Sequence, residues 1–153
     1  MSERYILLVE DNPDDEALTL HAVRKNNIQS EIVVARDGVE ALNYLFRREE
    51  FETRTDGDPI LILLDLKMPK VGGLEVLKIL KADEGLKAIP VVVLSSSREA
   101  PDLDEAYKYG VNAYVAKPVD FFELIKAVKE LGRNVRKVFA RAMNFAEPRS
   151  LEL

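Results

Sequence analysis

Asp65 stands at the end of the apolar run Ile60 to Leu64, and other polar residues are placed in the same way. Tyr5 to Val9 ends on the acid pair Glu10 and Asp11, Val91 to Leu94 ends on Ser95, and Ala113 to Ala116 ends on Lys117 and Pro118. If these runs are parallel strands of one sheet, the carboxylates of Glu10, Asp11 and Asp65, a hydroxyl and an ammonium meet at one edge. Such a set suits phosphoryl chemistry. Carboxylates brought that close cannot all stay ionised without a counter-charge, and a divalent cation supplies one. The donors are hard oxygens, and the chain has one histidine and no cysteine. Mg2+ therefore suits the site better than zinc or iron, with Mn2+ as a substitute. The competing reading is that these acids only punctuate strand ends beside helix starts. It accounts for each acid singly but not for the whole set together with Ser95 and Lys117.

The elements that must position this set follow from periodicity. Continuous apolar runs rich in Val and Ile are what strands look like when helices cover both faces of the sheet. Glu31 to Val34 is a further, shorter strand. Between the strands, apolar residues recur three and four apart. Ala17, Leu18, Leu20 and Val23 mark a first helix entered through Asn12 and Pro13, a capping residue followed by one that suits the first helical position. Val39, Leu42, Leu45 and Phe46 mark a second helix after Asp37 and Gly38. Leu74, Val76, Leu77 and Leu80 mark a third after Gly72 and Gly73. Leu103, Ala106 and Tyr107 mark a fourth, ended by Gly110, and Phe121, Leu124, Ile125 and Val128 a fifth. Strict alternation with short connections implies an α/β fold, a doubly wound five-stranded parallel sheet with helices on both faces. In the flavodoxin-like order 2-1-3-4-5, ligands bind beyond the carboxyl ends of the strands where the order reverses, between the first and third strands. Glu10, Asp11 and Asp65 would face one another there.

A chain of 153 residues is enough for one domain with a substantial core. A net charge of -5 disfavours a general nucleic-acid surface, and the absence of cysteine excludes a disulfide framework and a thiolate metal site. No apolar run approaches the roughly 18 residues of a membrane span, and no signal-peptide pattern precedes the first strand. The expectation is a cytoplasmic protein with neither membrane nor nucleic acid as partner.

Glu10 and Asp11, Asp65 within Leu63 to Pro69, Gly72 and Gly73, Ser95, and Tyr114 to Pro118 together resemble the receiver domain of two-component response regulators. The resemblance covers residues 4–131. It implies that Asp65 is the nucleophile that takes a phosphoryl group from the phosphohistidine of a sensor histidine kinase or a phosphotransfer protein. Asp11 and Asp65 would bind the metal with the carbonyl of Lys67, and Glu10 would act through water. Lys117 and the Ser95 hydroxyl would bind phosphoryl oxygens. Tyr114 would turn inward when Ser95 moves, reshaping the face of the fourth helix, fifth strand and fifth helix, and the Lys117–Pro118 peptide would be cis. The protein would be a phosphoacceptor switch and not a metabolic enzyme, limited to self-phosphorylation and slow self-dephosphorylation.

Some positions depart from the commonest receiver pattern. The pair is Glu-Asp where Asp-Asp is frequent, and Lys67 and Ser97 occupy positions that influence how fast water removes the phosphoryl group. Asp14, Asp15 and Glu16 lie in a first helical turn, where acids oppose the macrodipole, so they read as structural; the sole histidine, His21, reads as a surface or partly buried residue. The link Arg48 to Pro59 is longer than such connections need. It reads first as a solvated loop and alternatively as a partner-recognition element, and its length resembles the stand-alone regulators that work with bacterial phytochromes. Residues 132–153 form a C-terminal extension, partly helical and too short for a separate output domain. Either the chain bends at Gly132 and this tail folds back on the domain, or the helix runs on and its apolar stripe, like the face of the fourth helix, fifth strand and fifth helix, offers a route to a homodimer. Two rival functions are a non-phosphorylated adaptor or dimerisation module and an aspartate-nucleophile phosphohydrolase. The hydrolase would want an acid where Lys67 stands.

Overall fold

The computed structural model describes residues 5–24, 31–68, 70–95, 100–111 and 113–129. The strands are β1 (Tyr5–Val9), β2 (Glu31–Ala35), β3 (Leu61–Asp65), β4 (Val91–Ser95) and β5 (Ala113–Ala116). The helices are α1 (Pro13–Arg24), α2 (Gly38–Leu45), α3 (Gly73–Ala82), α4 (Ala100–Lys108) and α5 (Phe121–Lys129). All strand pairs are parallel, in the order β2-β1-β3-β4-β5. The doubly wound sheet with its reversal between β1 and β3 is therefore present. Ser96, Ser97 and the extension 132–153 lie outside the described residues.

Side chains alternate across the sheet because successive residues of a strand point to opposite faces. Tyr5, Leu7 and Val9 join a core cluster with Ala41, Tyr44 and Leu45 of α2, Val76, Leu77 and Leu80 of α3 and Ala106 of α4. Ile6 and Leu8 join the opposite cluster with Val23 of α1 and Leu124 and Ala127 of α5. Every residue of β1, β3 and β4 is buried, which explains why these strands read as unbroken apolar runs. Gly110 ends the turn after α4 with φ of 97°, a conformation that costs glycine little.

The link between α2 and β3 is largely exposed, as a solvated loop would be, and it is also tied to the core. It contains a 3-10 turn at Glu49–Phe51 and a largely buried arginine. The Arg54 guanidinium lies 4.0 Å from the centroid of the Tyr44 ring and donates to the Tyr44 carbonyl at 3.1 Å, to the Tyr5 hydroxyl at 3.2 Å and to the Gly57 carbonyl at 3.1 Å. It also pairs with Asp56 at 2.9 Å. Tyr5 in turn donates to the Gly57 carbonyl. Stacking and planar multidentate donation are properties of guanidinium and not of an ammonium. Arg54→Ala is expected to destabilise the protein by about 2–3 kcal/mol and to open the link to limited proteolysis, with Arg54→Lys recovering less than half of the loss. A urea midpoint unchanged by Arg54→Ala would show that the link contributes nothing to folding.

Candidate functional site

The carboxyl ends of the strands deliver the chemistry. Val9 pairs with Leu64 across β1 and β3, so the residues that follow, Glu10 and Asp65, come side by side. One carboxylate oxygen from each of Glu10, Asp11 and Asp65 lies within 4.8 Å of the others. Glu10 and Asp65 are buried, and Asp11 is partly exposed. The Lys67 backbone N–H donates to Asp65 Oδ1 at 3.4 Å, which sets Lys67 beside the same carboxylate. Ser95 is buried at the end of β4, and its carbonyl accepts from the Lys117 N–H at 3.0 Å. The Lys117–Pro118 peptide is cis.

Lys117 Nζ sits among acids. It lies 2.9 Å from Glu10 Oε1 and 3.2 Å from Glu10 Oε2, 3.2 Å from Asp65 Oδ1 and 3.0 Å from Asp15 Oδ2. Burial alone would push the ammonium pKa down, but hydrogen bonds to Glu10 and Asp15 and the charges of Asp65 and Glu10 outweigh it and hold the group above the ordinary lysine range. Asp65 moves the other way for an acid. Burial, reinforced by the Glu10 carboxylate, pushes its carboxyl up to about 7, and the nearby Lys117 offsets this only in part. The pocket is thus short of positive charge. Its donors are all oxygens, at a spacing that fits a hard divalent cation held by Glu10, Asp11 and Asp65.

In the sequence Asp15 reads as a first-turn acid opposing the helix macrodipole, and the structure adds a contact with Lys117. A first-turn acid on the strand-end side of α1 is a signal that could have flagged it, but its partner stands 102 residues away in the chain. Asp14 and His21 are exposed, and Glu16 pairs with Arg36 at 3.1 Å. Tyr114 is half-buried against the α2–α3 side of the core. Its hydroxyl is buried with no hydrogen-bond partner among the described residues. An open cleft of about 230 Å³, lined by Leu45, Arg47, Asp58, Asp83 and Leu86, lies near the amino ends of β3 and β4, away from this set.

Parallel strands that end on acids, a hydroxyl and a lysine are the arrangement expected of a receiver domain. The chain belongs to the response regulator receiver domain family, which it matches over residues 6–129. It is similar to the bacteriophytochrome response regulator AtBRR, at 54% identity with a TM-score of 0.80 over 86% of this chain and 94% of that one. It is also similar to response regulator Rcp1 of Synechocystis sp., at 39% identity over 126 residues, covering 82% of this chain and 84% of Rcp1. The Mn2+-bound structure of Rcp1 matches with a TM-score of 0.71 at 36% identity, over 83% of this chain and 92% of that one. The phosphorylated cyanobacterial phytochrome response regulator RcpA matches with a TM-score of 0.72 at 40% identity, over 85% and 93% of the two chains. The protein is accordingly a response regulator receiver of two-component signalling. Among the described residues no helix is long and apolar enough to cross a membrane.

Proposed function

We propose that this protein accepts a phosphoryl group on Asp65 from a phosphohistidine of a sensor histidine kinase or phosphotransfer protein, with Mg2+ held by Asp11 and Asp65 and by the Lys67 carbonyl, and by Glu10 through water. The observation that carries this reading is the gathering of those carboxylates within 4.8 Å beside the Lys117 ammonium. An Asp65 oxygen forms the new P–O bond as the P–N bond breaks, and the electron pair of that bond stays on the imidazole nitrogen, which is then protonated. The product is an acyl phosphate. The cation, when bound, neutralises the acids and polarises a phosphoryl oxygen. Lys117 shifts its ammonium to another phosphoryl oxygen, and the Ser95 hydroxyl donates to a third. Movement of Ser95 gives the Tyr114 ring room to turn further in, and the α4–β5–α5 face changes shape as the output.

The Mn2+-bound form of Rcp1 supports divalent-cation binding by this chain, and the phosphorylated RcpA supports its phosphorylation. The similarity to phytochrome-associated regulators makes a phytochrome-type kinase the donor of choice. Acetyl phosphate with Mg2+ should add a single phosphoryl mass to the intact protein, and Asp65→Asn should abolish the addition. Absence of the adduct from the wild type would leave an adaptor as the function. Release of many equivalents of phosphate from a phosphomonoester would make the protein a hydrolase.

A further inference from the structure

The first turn of α1 is built to aim one acid at Lys117. Asn12 is the capping residue, its side-chain Oδ1 accepting from the N–H groups of Asp14 at 2.8 Å and Asp15 at 3.0 Å, and its carbonyl accepting from Glu16 N–H at 2.9 Å. Asp15 therefore holds the third helical position. An acid there ordinarily reaches back to the N–H of the capping residue, closing a capping box. Here that N–H donates instead to Glu10 Oε2 at 3.3 Å. The Asp15 carboxylate turns the other way and accepts from Lys117 Nζ at 3.0 Å. The lysine side chain is 8% exposed and that of Asp15 is 34% exposed, so the contact sits at the rim of the pocket and is partly shielded from water.

Glu10 and Asp65 also touch the ammonium, but they stand at strand ends where the phosphoryl group would arrive. Asp15 stands on a helix and belongs to neither strand. A lysine that has moved to a phosphoryl oxygen can stay near Asp65, whereas its bond to Asp15 competes directly for the same ammonium protons.

From this geometry we propose that Asp15 is a positioning residue that holds Lys117 in the unphosphorylated arrangement and thereby opposes capture of the phosphoryl group. The inference rests on the receiver reading above and adds a regulator of its switching equilibrium. Removing the carboxylate frees the ammonium, so the active arrangement forms more readily. Restoring a carboxylate with glutamate, one methylene longer, re-forms the hold.

The test uses beryllofluoride, a non-covalent stand-in for the phosphoryl group, titrated at saturating Mg2+ and followed by 19F NMR. Asp15→Asn is expected to bind it about fivefold more tightly than the wild type, the scale of a partly shielded ion pair. Asp15→Glu should return the affinity to within about twofold of the wild type. In a Lys117→Gln background Asp15→Asn should change the affinity by less than about twofold, because no ammonium is left to release. A metal-free readout accompanies these titrations. Competitive acetylation, read by peptide mass, should label Lys117 faster in Asp15→Asn than in the wild type. Unchanged or weaker binding by Asp15→Asn would overturn the inference, as would an equal gain in the Lys117→Gln background, which would mean simple charge repulsion. If the wild type itself bound no beryllofluoride, the receiver reading would fall and this inference with it, an outcome distinct from equal binding by both proteins.

Discussion

Asp65→Asn should make the metal-free protein more stable at pH 8, by about 2–4 kcal/mol. The acid is buried beside Glu10, and its carboxyl is pushed up to about 7 from an ordinary value of 3.8. Between those two values the folded protein holds a proton on Asp65 that the unfolded chain has lost. Stability therefore falls as pH rises from about 4 to about 7, and the full penalty persists above that range. Asparagine has no proton to lose. Removing one member of a buried ion pair normally destabilises by leaving the other uncompensated, but Lys117 keeps Glu10 at 2.9 Å and Asp15 at 3.0 Å. No charge is left without a partner, so relief of the buried carboxylate dominates.

Urea unfolding in the presence of a chelator at pH 4, 6 and 8 would measure the effect. The advantage of the variant should grow with pH and be small at pH 4. A variant less stable than the wild type at pH 8, or an advantage independent of pH, would remove burial of the charged Asp65 as its cause. Mg2+ at 100 times its dissociation constant should then raise wild-type stability by about 2.7 kcal/mol, and it should raise that of Asp65→Asn much less.

The second large effect is mechanical. Gly73 opens α3, and a Cβ built on it would overlap the Asp65 carbonyl and come within 2.7 Å of Leu66 Cα. The Gly73 N–H donates to the Leu66 carbonyl at 2.9 Å, so the helix start is pinned to the end of β3. Alanine in a helix gains roughly 0.5–1 kcal/mol over glycine, yet the overlap is with backbone and no rotamer change relieves it. Gly73→Ala is expected to cost about 3–5 kcal/mol and to slow phosphoryl acceptance, because relief of the overlap must displace the segment that carries Asp65. Gly57 provides the control: a Cβ there meets nothing within 4 Å, and Gly57→Ala should stay within about 0.5 kcal/mol of the wild type. A loss below about 1 kcal/mol for Gly73→Ala would show that α3 can slide on the strand end at little cost.

Burial on both faces made the strands legible. Every residue of β1, β3 and β4 is buried, so each strand is apolar up to its carboxyl end, the first polar residue there marks the sheet edge, and Glu10, Asp65 and Ser95 could be placed at it from residue types alone. Alternation of strands and helices was equally plain, because the spacing of apolar residues changes with each element. What sequence could not determine depends on partners far apart in the chain. Arg54 reads as one more charge in a polar link, and only the approach of Tyr5 and Tyr44 buries it and orders the segment. Asp15 reads as a first-turn acid satisfying a helix dipole. Its contact with Lys117 exists because the sheet brings the ends of β1 and β5 to one edge and the Asn12 cap sets the rotation of α1. Local propensity and burial pattern are properties of a segment and survive in its residues. The partner of a charged side chain is decided by which segments the fold brings together.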